Sequence, residues 1–440
     1  DQSRINYASL PNEQWSLFGR ASYDVGDSTT AYVQASFGSM ETSALVANYW
    51  VGYPAIADDN FYLPTDVRNA MAANGLTSLP LNIAHTKTGV INNRTLRDTF
   101  DVIAGFDGSF GGTWQWNAYA KYGETESKTR AEGMPRPGPF ALATDAVEDP
   151  NNPGQPICRS TITDPTNGCV PFNPFGSQVP SAAALANVVG VSSWDVNYVQ
   201  TVVAANVSGD LLELPAGPLS VAAGLEYRDE SATADADPIS QVNGFWAGNF
   251  KDFEGDYNVK EAYVELGAPV FDILELNLAG RLTDYSTSGS VFTWKAGVRL
   301  EPTDGIAFRL TRSRDIRAPN LQELFQPGLV GNQGIYDPFI DADTRVTQTL
   351  SGNTDLTPEN ADTLTAGVIL TPAFAPGLRF SVDYYDINIK EAIATSSSQF
   401  IVNRCFEGVA SFCDAIVRDG TGAVTAVNLK PFNALSEEAR

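Results

Sequence analysis

The sequence predicts an all-β fold, a transmembrane antiparallel up-and-down β-barrel of which this chain carries about twelve strands. Side chains alternate between apolar and polar in segments of about ten residues, the length of a tilted membrane-spanning strand. Short turns alternate with long connections along the chain. No stretch approaches the ~18 consecutive apolar residues of a membrane-spanning helix, so strands must do the spanning.

The alternation is clearest at 273–283 and 292–301. Leu274, Leu276 and Leu278 share one face of the first segment, and Glu275 and Asn277 share the other. Side chains two residues apart point the same way in a strand, so one face is apolar and the other polar. The remaining predicted strands are 15–24, 31–37, 99–107, 114–122, 199–208, 219–228, 261–268, 306–311, 363–370 and 378–386.

The connections between these segments predict the two ends of the barrel. Within pairs the links are short and rich in Gly, Pro and Asp, as in 24–30 and 107–113. Between pairs only 284–291 is short, and the others are long. Short turns on one side and long loops on the other are typical of outer-membrane barrels, in which the long loops are external. The predicted external loops are 38–98, 123–198, 229–260, 312–362 and 387–440.

A soluble β-sandwich or propeller is the alternative for alternating strands. Aromatic side chains near segment ends, such as Trp15, Tyr122 and Tyr384, favour the membrane barrel because they match the interfacial girdles of such proteins. Irregular connections of this length are also uncommon in soluble domains. We therefore expect one barrel domain in an outer membrane.

Charge and cysteine content exclude several function classes. The net charge of −24 argues against nucleic acid as a partner, since phosphate contacts need clustered Lys and Arg. Cys158 with Cys169, and Cys405 with Cys413, are close pairs that predict two loop disulfides in an oxidising compartment. With one histidine and no CxxC, neither a metal site nor a cofactor is expected. No hydrolase, P-loop or dinucleotide motif is present, so the chain is not predicted to be an enzyme.

Two ordered motifs carry a resemblance to a known family. SRDIRAPNLQELF at 313–325 and GNTDLTPENADTLTAG at 352–367 resemble signatures of the TonB-dependent receptor barrels. GLEYRDE at 224–230 and VKEAYVELGAPV at 259–270 look like further parts of the same family. The resemblance therefore spans most of the chain.

The resemblance implies a barrel of about 22 strands filled by a plug domain, which binds a TonB-type energy transducer. We expect the plug and the closing strands to lie outside this chain. The implied function is a Gram-negative outer-membrane receptor that binds a scarce nutrient, such as a siderophore or carbohydrate, and imports it into the periplasm. Outer-membrane lipid and lipopolysaccharide are expected partners. A passive porin-like channel is the alternative.

Candidate site residues fall into two groups. Loop aromatics are expected to contact the ligand, although loop packing or anchoring at the membrane interface is an alternative for each. The arginine-rich stretch at the first motif is expected to face the lumen or plug, with wall-fixing pairs to Glu323 and Glu359 as the structural alternative. Gly352 and Asn353 are expected to adopt positive φ in a turn. The ligand candidates are Tyr49, Trp50, Tyr53, Phe245 and Trp246, and the lumen candidates are Arg309, Arg312, Arg314, Arg317, Asn320 and Glu323.

Overall fold

The alternating segments form one antiparallel sheet in a computed structural model, which describes residues 10–46, 55–80, 87–375 and 377–439. Each predicted segment falls within, or within two residues of, one long strand. The strands in chain order are β1 (Asn12–Gly26), β2 (Thr29–Val46), β3 (Ala55–Ala57), β4 (Ser78–Pro80), β5 (Ile91–Phe110), β6 (Trp114–Pro135), β7 (Ala146–Asp149), β8 (Asn152–Cys158), β9 (Val189–Leu214), β10 (Gly217–Ala236), β11 (Phe253–Phe271), β12 (Leu274–Tyr285), β13 (Gly289–Thr303), β14 (Ile306–Arg317), β15 (Leu329–Asp337), β16 (Ala342–Leu350), β17 (Glu359–Leu370), β18 (Phe380–Ala394), β19 (Ile416–Arg418), β20 (Val424–Leu429) and β21 (Phe432–Ala439).

Thirteen of these strands make the barrel wall. Their order is β1-β2-β5-β6-β9-β10-β11-β12-β13-β14-β17-β18-β21, so each wall strand lies beside the next one in the chain. Among the described residues, nothing pairs with the free edges of β1 and β21, so the wall is open there. This up-and-down order confirms the predicted fold class.

The thirteenth strand, β21, corrects the predicted loop 387–440. β18 extends to Ala394, and β21 pairs with it from Ala394↔Phe432 to Ile387↔Ala439. The sequence FNALSEEA lacks a clean two-residue alternation, so the pattern that identified the other strands is absent here.

The wall has an apolar and a polar face, as predicted. Leu278 opposes Ala296, and Val298 opposes Leu310, so apolar side chains of neighbouring strands share one face. Leu282 is 53% exposed and Phe292 is 57% exposed on that face. Large apolar side chains exposed in a continuous band are what a lipid-facing surface requires. We call this the apolar face and the opposite one the polar face.

The connections divide the wall into a turn rim and a loop rim. The turn rim holds short links, such as the two residues between β1 and β2 and the three between β5 and β6. The loop rim holds the long links, but these are shorter than predicted because the wall strands continue beyond the apolar band. β9, for example, has 26 residues, so the second loop covers 136–188 instead of 123–198. The extension of β6 at 123–132 is polar on both faces, so alternation could not detect it.

The loops themselves are folded. β3 pairs with β4, β7 with β8, and β15, β16, β20 and β19 form a four-stranded sheet. Within the described residues, no helix is long and apolar enough to span a membrane. The helices are α1 (Thr65–Ala73), α2 (Pro137–Thr144), α3 (Arg159–Thr163), α4 (Ala182–Val188), α5 (Pro238–Gln241), α6 (Leu321–Phe325), α7 (Ser398–Phe406) and α8 (Ala410–Cys413).

Candidate functional site

The first two loops pack into one unit, which we call the first loop cluster (55–80 and 136–188). Phe175 of the second loop packs against a core of Ile56, Leu63 and Met71 in the first loop. The side-chain amide of Asn60, which is fully buried, donates to the carbonyl of Thr144 across 2.7 Å. The predicted Cys158–Cys169 disulfide is present in this cluster. Burial therefore joins two loops that are separated in sequence by two wall strands.

Charged groups strengthen the same junction. Arg159 binds Asp59 of the first loop at 2.6 Å and Asp145 of the second at 3.1 Å. The hydrogen bond from Arg159 holds the pKa of the Asp59 carboxyl below its usual value. The ammonium of Lys87 donates to the carbonyls of Asn173 and Phe175, and desolvation lowers the pKa of Lys87. These loops are tied together by charge-assisted bonds as well as by apolar packing.

The predicted ligand aromatics of the third loop are part of this packing. Phe245 is 3% exposed and lies in a core with Ile91, Ala131 and Met134. Trp246 packs against the first-cluster core that contains Phe140 and Phe172. Phe245 is therefore not available to a ligand in this structure, and the loop-packing alternative applies to it. Tyr49, Trp50 and Tyr53 lie outside the described residues.

The last two loops form a second loop cluster (326–358 and 395–431). β16 pairs in parallel with β20, from Thr347↔Ala426 to Leu350↔Leu429. α7 covers this sheet with Ile401 and Val402, and the predicted Cys405–Cys413 disulfide links α7 to α8. The first disulfide and this one confirm both predicted pairs. Each lies in a different loop cluster.

The helix of the first motif, α6, folds inward over the polar face. Leu321 and Leu324 are buried in a core with Tyr257 and Val259 of β11, three wall strands away from β14. The loop between β12 and β13 contains only residues 286–288, which leaves this path open. Asn320 caps α6 by accepting from the Glu323 amide at 2.8 Å, and Glu323 accepts from the Asn320 amide at 2.9 Å.

The arginines of this stretch divide between the two faces. Arg309 and Arg317 lie on the polar face, where Arg309 binds Asp383 through both carboxylate oxygens. Arg317 binds Glu323 at 3.0 Å and Glu359 at 2.8 Å, which are the acidic partners named from the sequence. Arg317, Asn320 and Glu323 therefore have the structural role that was the alternative to facing a ligand or plug, since all three hold α6 in place.

Arg312 and Arg314 require a correction. They share the face of Phe308 and Leu310, because residues two apart in a strand point the same way. Both lie on the apolar face and not in the lumen. Arg314 binds Asp362 of β17 at 2.9 Å there. The arginines are close together in the sequence, and only their odd or even position along β14 decides which face each one occupies.

The glycine of the second motif acts by close approach and not by positive φ. Neither Gly352 nor Asn353 has positive φ. A Cβ at Gly352 would collide with the backbone carbonyl of Leu324 in α6. The Asn353 amide donates to the Glu323 carbonyl at 2.8 Å, and the Gly352 amide donates to that of Gln326 at 2.7 Å. The two motifs therefore form a single junction.

A polar network on the lumen side of β6, β9 and β11 was not predicted. Tyr263 donates to the side-chain carbonyl of Asn206 at 2.8 Å, and Asn206 donates to that of Asn117 at 2.8 Å. Arg281 lies 4.9 Å from the centre of the Tyr263 ring and 3.3 Å from Glu261. Donors and acceptors of this kind suit a hydrated ligand or a polar protein surface in the lumen. Tyr263 and Glu261 lie in the VKEAYVELGAPV stretch, which is the one signal that could have identified them.

Acidic and cysteine residues are dispersed across the described part of the chain. No group of three or more His, Cys, Asp or Glu side chains there could hold a metal ion.

The wall is similar in fold to solved structures of siderophore receptors and of a peptide importer. A mutant ferric enterobactin receptor (PfeA) from Pseudomonas aeruginosa is 16% identical with a TM-score of 0.55, over 98% of this chain and 49% of that one. The siderophore receptor PirA from Acinetobacter baumannii is 15% identical with a TM-score of 0.53, over 99% and 51%. The RagAB peptide importer is 11% identical with a TM-score of 0.51, over 98% and 43%. At these identities the similarity shows the fold alone.

The chain thus spans about half the length of the structures that it matches. No functionally curated protein matches the sequence significantly. The profile of the family described as "TonB dependent receptor-like, beta-barrel" matches residues 34–425. This match covers both motifs and the wall from within β2 to β18, and the chain belongs to the TonB-dependent receptor β-barrel family.

Proposed function

We propose that this chain is most of the wall of an outer-membrane receptor that binds a scarce nutrient at the cell surface and imports it into the periplasm. The loop rim faces the exterior, and a plug domain outside this chain occupies the lumen. Energy comes from a TonB-type transducer that engages the plug. Family membership and the siderophore-receptor fold support this proposal.

The observation that carries the proposal is that the two faces and the two rims of the wall differ in character. The apolar face suits lipid, while the polar face presents Arg281, Glu261 and Tyr263 towards the lumen. The loop rim carries two folded clusters held by disulfides, and the turn rim carries only short links. External loops on a rigid wall are where outer-membrane barrels recognise ligands.

Transport by the full-length protein tests the proposal. Cells lacking the gene, and cells complemented with it, would be supplied with ⁵⁵Fe-enterobactin, a radiolabelled oligosaccharide or a labelled peptide. We expect saturable accumulation of one of these probes that depends on the gene and stops when an uncoupler collapses the proton-motive force. Accumulation that is unaffected by the uncoupler and linear in concentration would contradict the proposal and indicate a passive channel.

A further inference from the structure

The upper wall, which is the part of β2, β5, β6 and β9 between the apolar band and the loop rim, sorts its charges by side. Strand parity assigns Glu126, Lys128 and Arg130 to the outer side, which continues the apolar face. Arg130 forms an ion pair there with Asp195 of β9, and Lys128 forms one with Glu126. The lumen side of β6 and β9, which continues the polar face, carries no charge from 123 to 131 or from 192 to 200. Its residues are Gly123, Thr125, Ser127, Thr129, Ala131, Ser192, Trp194, Val196, Tyr198 and Gln200.

A single cation of the upper wall, Arg97 of β5, lies on the lumen side among hydroxyl groups. Arg97 is opposite Met40 of β2 and Ser127 of β6. Threonines lie two residues away in both directions along β5 and at diagonal positions on both neighbouring strands. Cross-strand pairs of threonine hydroxyls lie 3.2 and 3.3 Å apart there. We call the six hydroxyl residues around Arg97 the hydroxyl patch, which consists of Thr42, Thr95, Thr99, Thr125, Ser127 and Thr129.

Arg97 has a free guanidinium group. It is exposed, and it makes no hydrogen bond or ion pair with any residue that the structure describes. Arg94, on the outer side of the same strand, instead binds both carboxylate oxygens of Glu41, at 2.7 and 2.6 Å. A guanidinium that faces the lumen without a carboxylate is available to an anionic group of a ligand.

The charged groups that surround the hydroxyl patch are engaged elsewhere. Asp101, the next carboxylate on the lumen side of β5, is four residues or about 13 Å from Arg97 and accepts a hydrogen bond from a serine of β2. Glu230 lies three strands away on β10 and accepts from the Tyr257 hydroxyl at 2.7 Å. The third loop reaches the edge of the patch with Lys251, whose ammonium donates to two carbonyls of its own loop. The described surface around Arg97 is therefore polar and uncharged.

An aromatic ring lies beside the hydroxyl patch. Tyr198 of β9 is opposite Thr125 and is 38% exposed on the lumen side. It is two strands from Arg97, or about 10 Å across the wall, a distance that two linked sugar rings span. Aromatic faces pack against the apolar face of a sugar ring, and protein hydroxyls donate and accept hydrogen bonds as sugar hydroxyls do. The surface thus combines one cation, one ring and several hydroxyls.

We propose that the hydroxyl patch binds an oligosaccharide that carries one carboxylate, as a uronic acid does. Arg97 binds the carboxylate through paired N–H donors, the patch binds sugar hydroxyls, and Tyr198 packs on a neighbouring sugar ring. This inference rests on the proposed function, in which the upper wall encloses the part of the lumen that a ligand enters first.

Two other ligand classes fit this surface less well. A strongly anionic ferric catecholate would leave most of its charge facing hydroxyl groups, since Arg97 is the one cation there. An extended peptide binds best to a free strand edge, but β2, β5, β6 and β9 are each paired on both sides. A sugar ligand needs neither several cations nor a strand edge.

Calorimetric titration of the full-length receptor in detergent tests the inference. The probes are a xylan tetrasaccharide with one glucuronic acid and the neutral xylotetraose. We expect the acidic probe to bind at least about tenfold more tightly, because it adds a charge-assisted contact. Arg97→Gln should abolish this preference and leave the affinity for xylotetraose unchanged. Arg97→Lys should keep part of the preference, since Lys keeps the charge but not the paired donors. The matched control Lys295→Gln removes one charge from the lumen side of β13 and should leave both affinities unchanged.

Further measurements separate the contributions and the hypotheses. Thr99→Val/Thr125→Val removes two hydroxyls of the patch and should weaken the binding of both tetrasaccharides. Equal affinity of the wild type for the two probes would overturn the inference, and this comparison needs no variant to fold. A preference that survives in Arg97→Gln would also overturn it, as would binding of a ferric catecholate or a peptide in place of both sugars. Energised uptake of such another ligand would leave the proposed function standing, whereas uptake of the acidic probe that is unaffected by an uncoupler would count against the proposed function alone.

Discussion

Arg309 of β14 and Asp383 of β18 form an ion pair across Gly367 of the intervening strand β17. The register sets Arg309 opposite Gly367, and Gly367 opposite Asp383. A Cβ at Gly367 would collide with the Asp383 carboxylate and approach the Arg309 guanidinium. Gly367 is the last residue of the second motif. Its missing side chain leaves the space in which Arg309 of β14 reaches Asp383 of β18 across β17.

Gly367→Ala should therefore displace the bridge and destabilise the wall. Overpacking typically costs ~1–3 kcal/mol, and loss of the solvent-screened ion pair adds little to this. Thermal unfolding of the full-length protein in detergent measures the effect. The control is Gly267→Ala on β11, where a Cβ meets no atom within 4 Å. If the two variants melt at the same temperature, Gly367 has no such role.

Gly352→Ala should loosen α6 from the second motif. The added Cβ meets the backbone carbonyl of Leu324, which cannot move without breaking the amide contacts of Gly352 and Asn353. We expect a loss of ~1–3 kcal/mol. Faster hydrogen exchange in 321–325 would report it. Gly331→Ala in β15 is the control, because its Cβ would point into open space, and similar exchange in both variants would refute the expected clash.

Each disulfide should stabilise its own loop cluster and not the other. Replacing Cys405 and Cys413 by Ser should destabilise the second cluster by about 2–3 kcal/mol, because the cross-link restricts the unfolded chain. Limited proteolysis should then cut within 395–431 and spare 136–188. The Cys158→Ser/Cys169→Ser variant should show the reverse pattern. Identical cleavage maps for the two variants would mean that the clusters unfold together.

Phe245→Ala should act on loop stability. The side chain is 3% exposed among Ile91, Ala131 and Met134. Removing a buried phenylalanine typically costs ~3–5 kcal/mol. Hydrogen exchange in 237–252 should rise, and uptake should fall only as far as folded protein falls. Val242→Ala in the same loop is the control, since Val242 is 76% exposed. A loss of ligand affinity without faster exchange would restore Phe245 as a ligand contact.

Acid should weaken the contact between the first two loops. The pKa of Asp59 is lowered in the folded protein by its hydrogen bond to Arg159. Its contribution is therefore present above the unfolded pKa of ~3.9 and is lost as pH falls through the lower folded value. Asp59 is more than half exposed, so the effect stays below about 1 kcal/mol. Proteolysis of 55–80 should become faster below about pH 4, and Asp59→Asn should remove that pH dependence.

The sequence by itself identified twelve of the thirteen wall strands. The alternation at 15–24 and 273–283 does not depend on particular neighbouring residues, because a lipid-facing strand must be apolar on one side. The disulfide pairs could also be predicted from the sequence, since Cys158 and Cys405 each have one close partner in the chain. The motifs at 313–325 and 352–367 identified the family, and the profile match confirms it.

Only the tertiary structure decided the surroundings of the loop residues and of the strand ends. Phe245 looked like an exposed loop aromatic until packing against Ile91 and Met134 buried it. Arg312 and Arg314 looked like lumen residues until register assigned them to the apolar face. Strand β21 escaped detection because its pairing with β18 depends on backbone hydrogen bonds and not on side-chain period. Periodicity reports which medium a side chain faces, whereas long-range contacts set the partners of loops and strand ends, and those contacts leave no local pattern in the sequence.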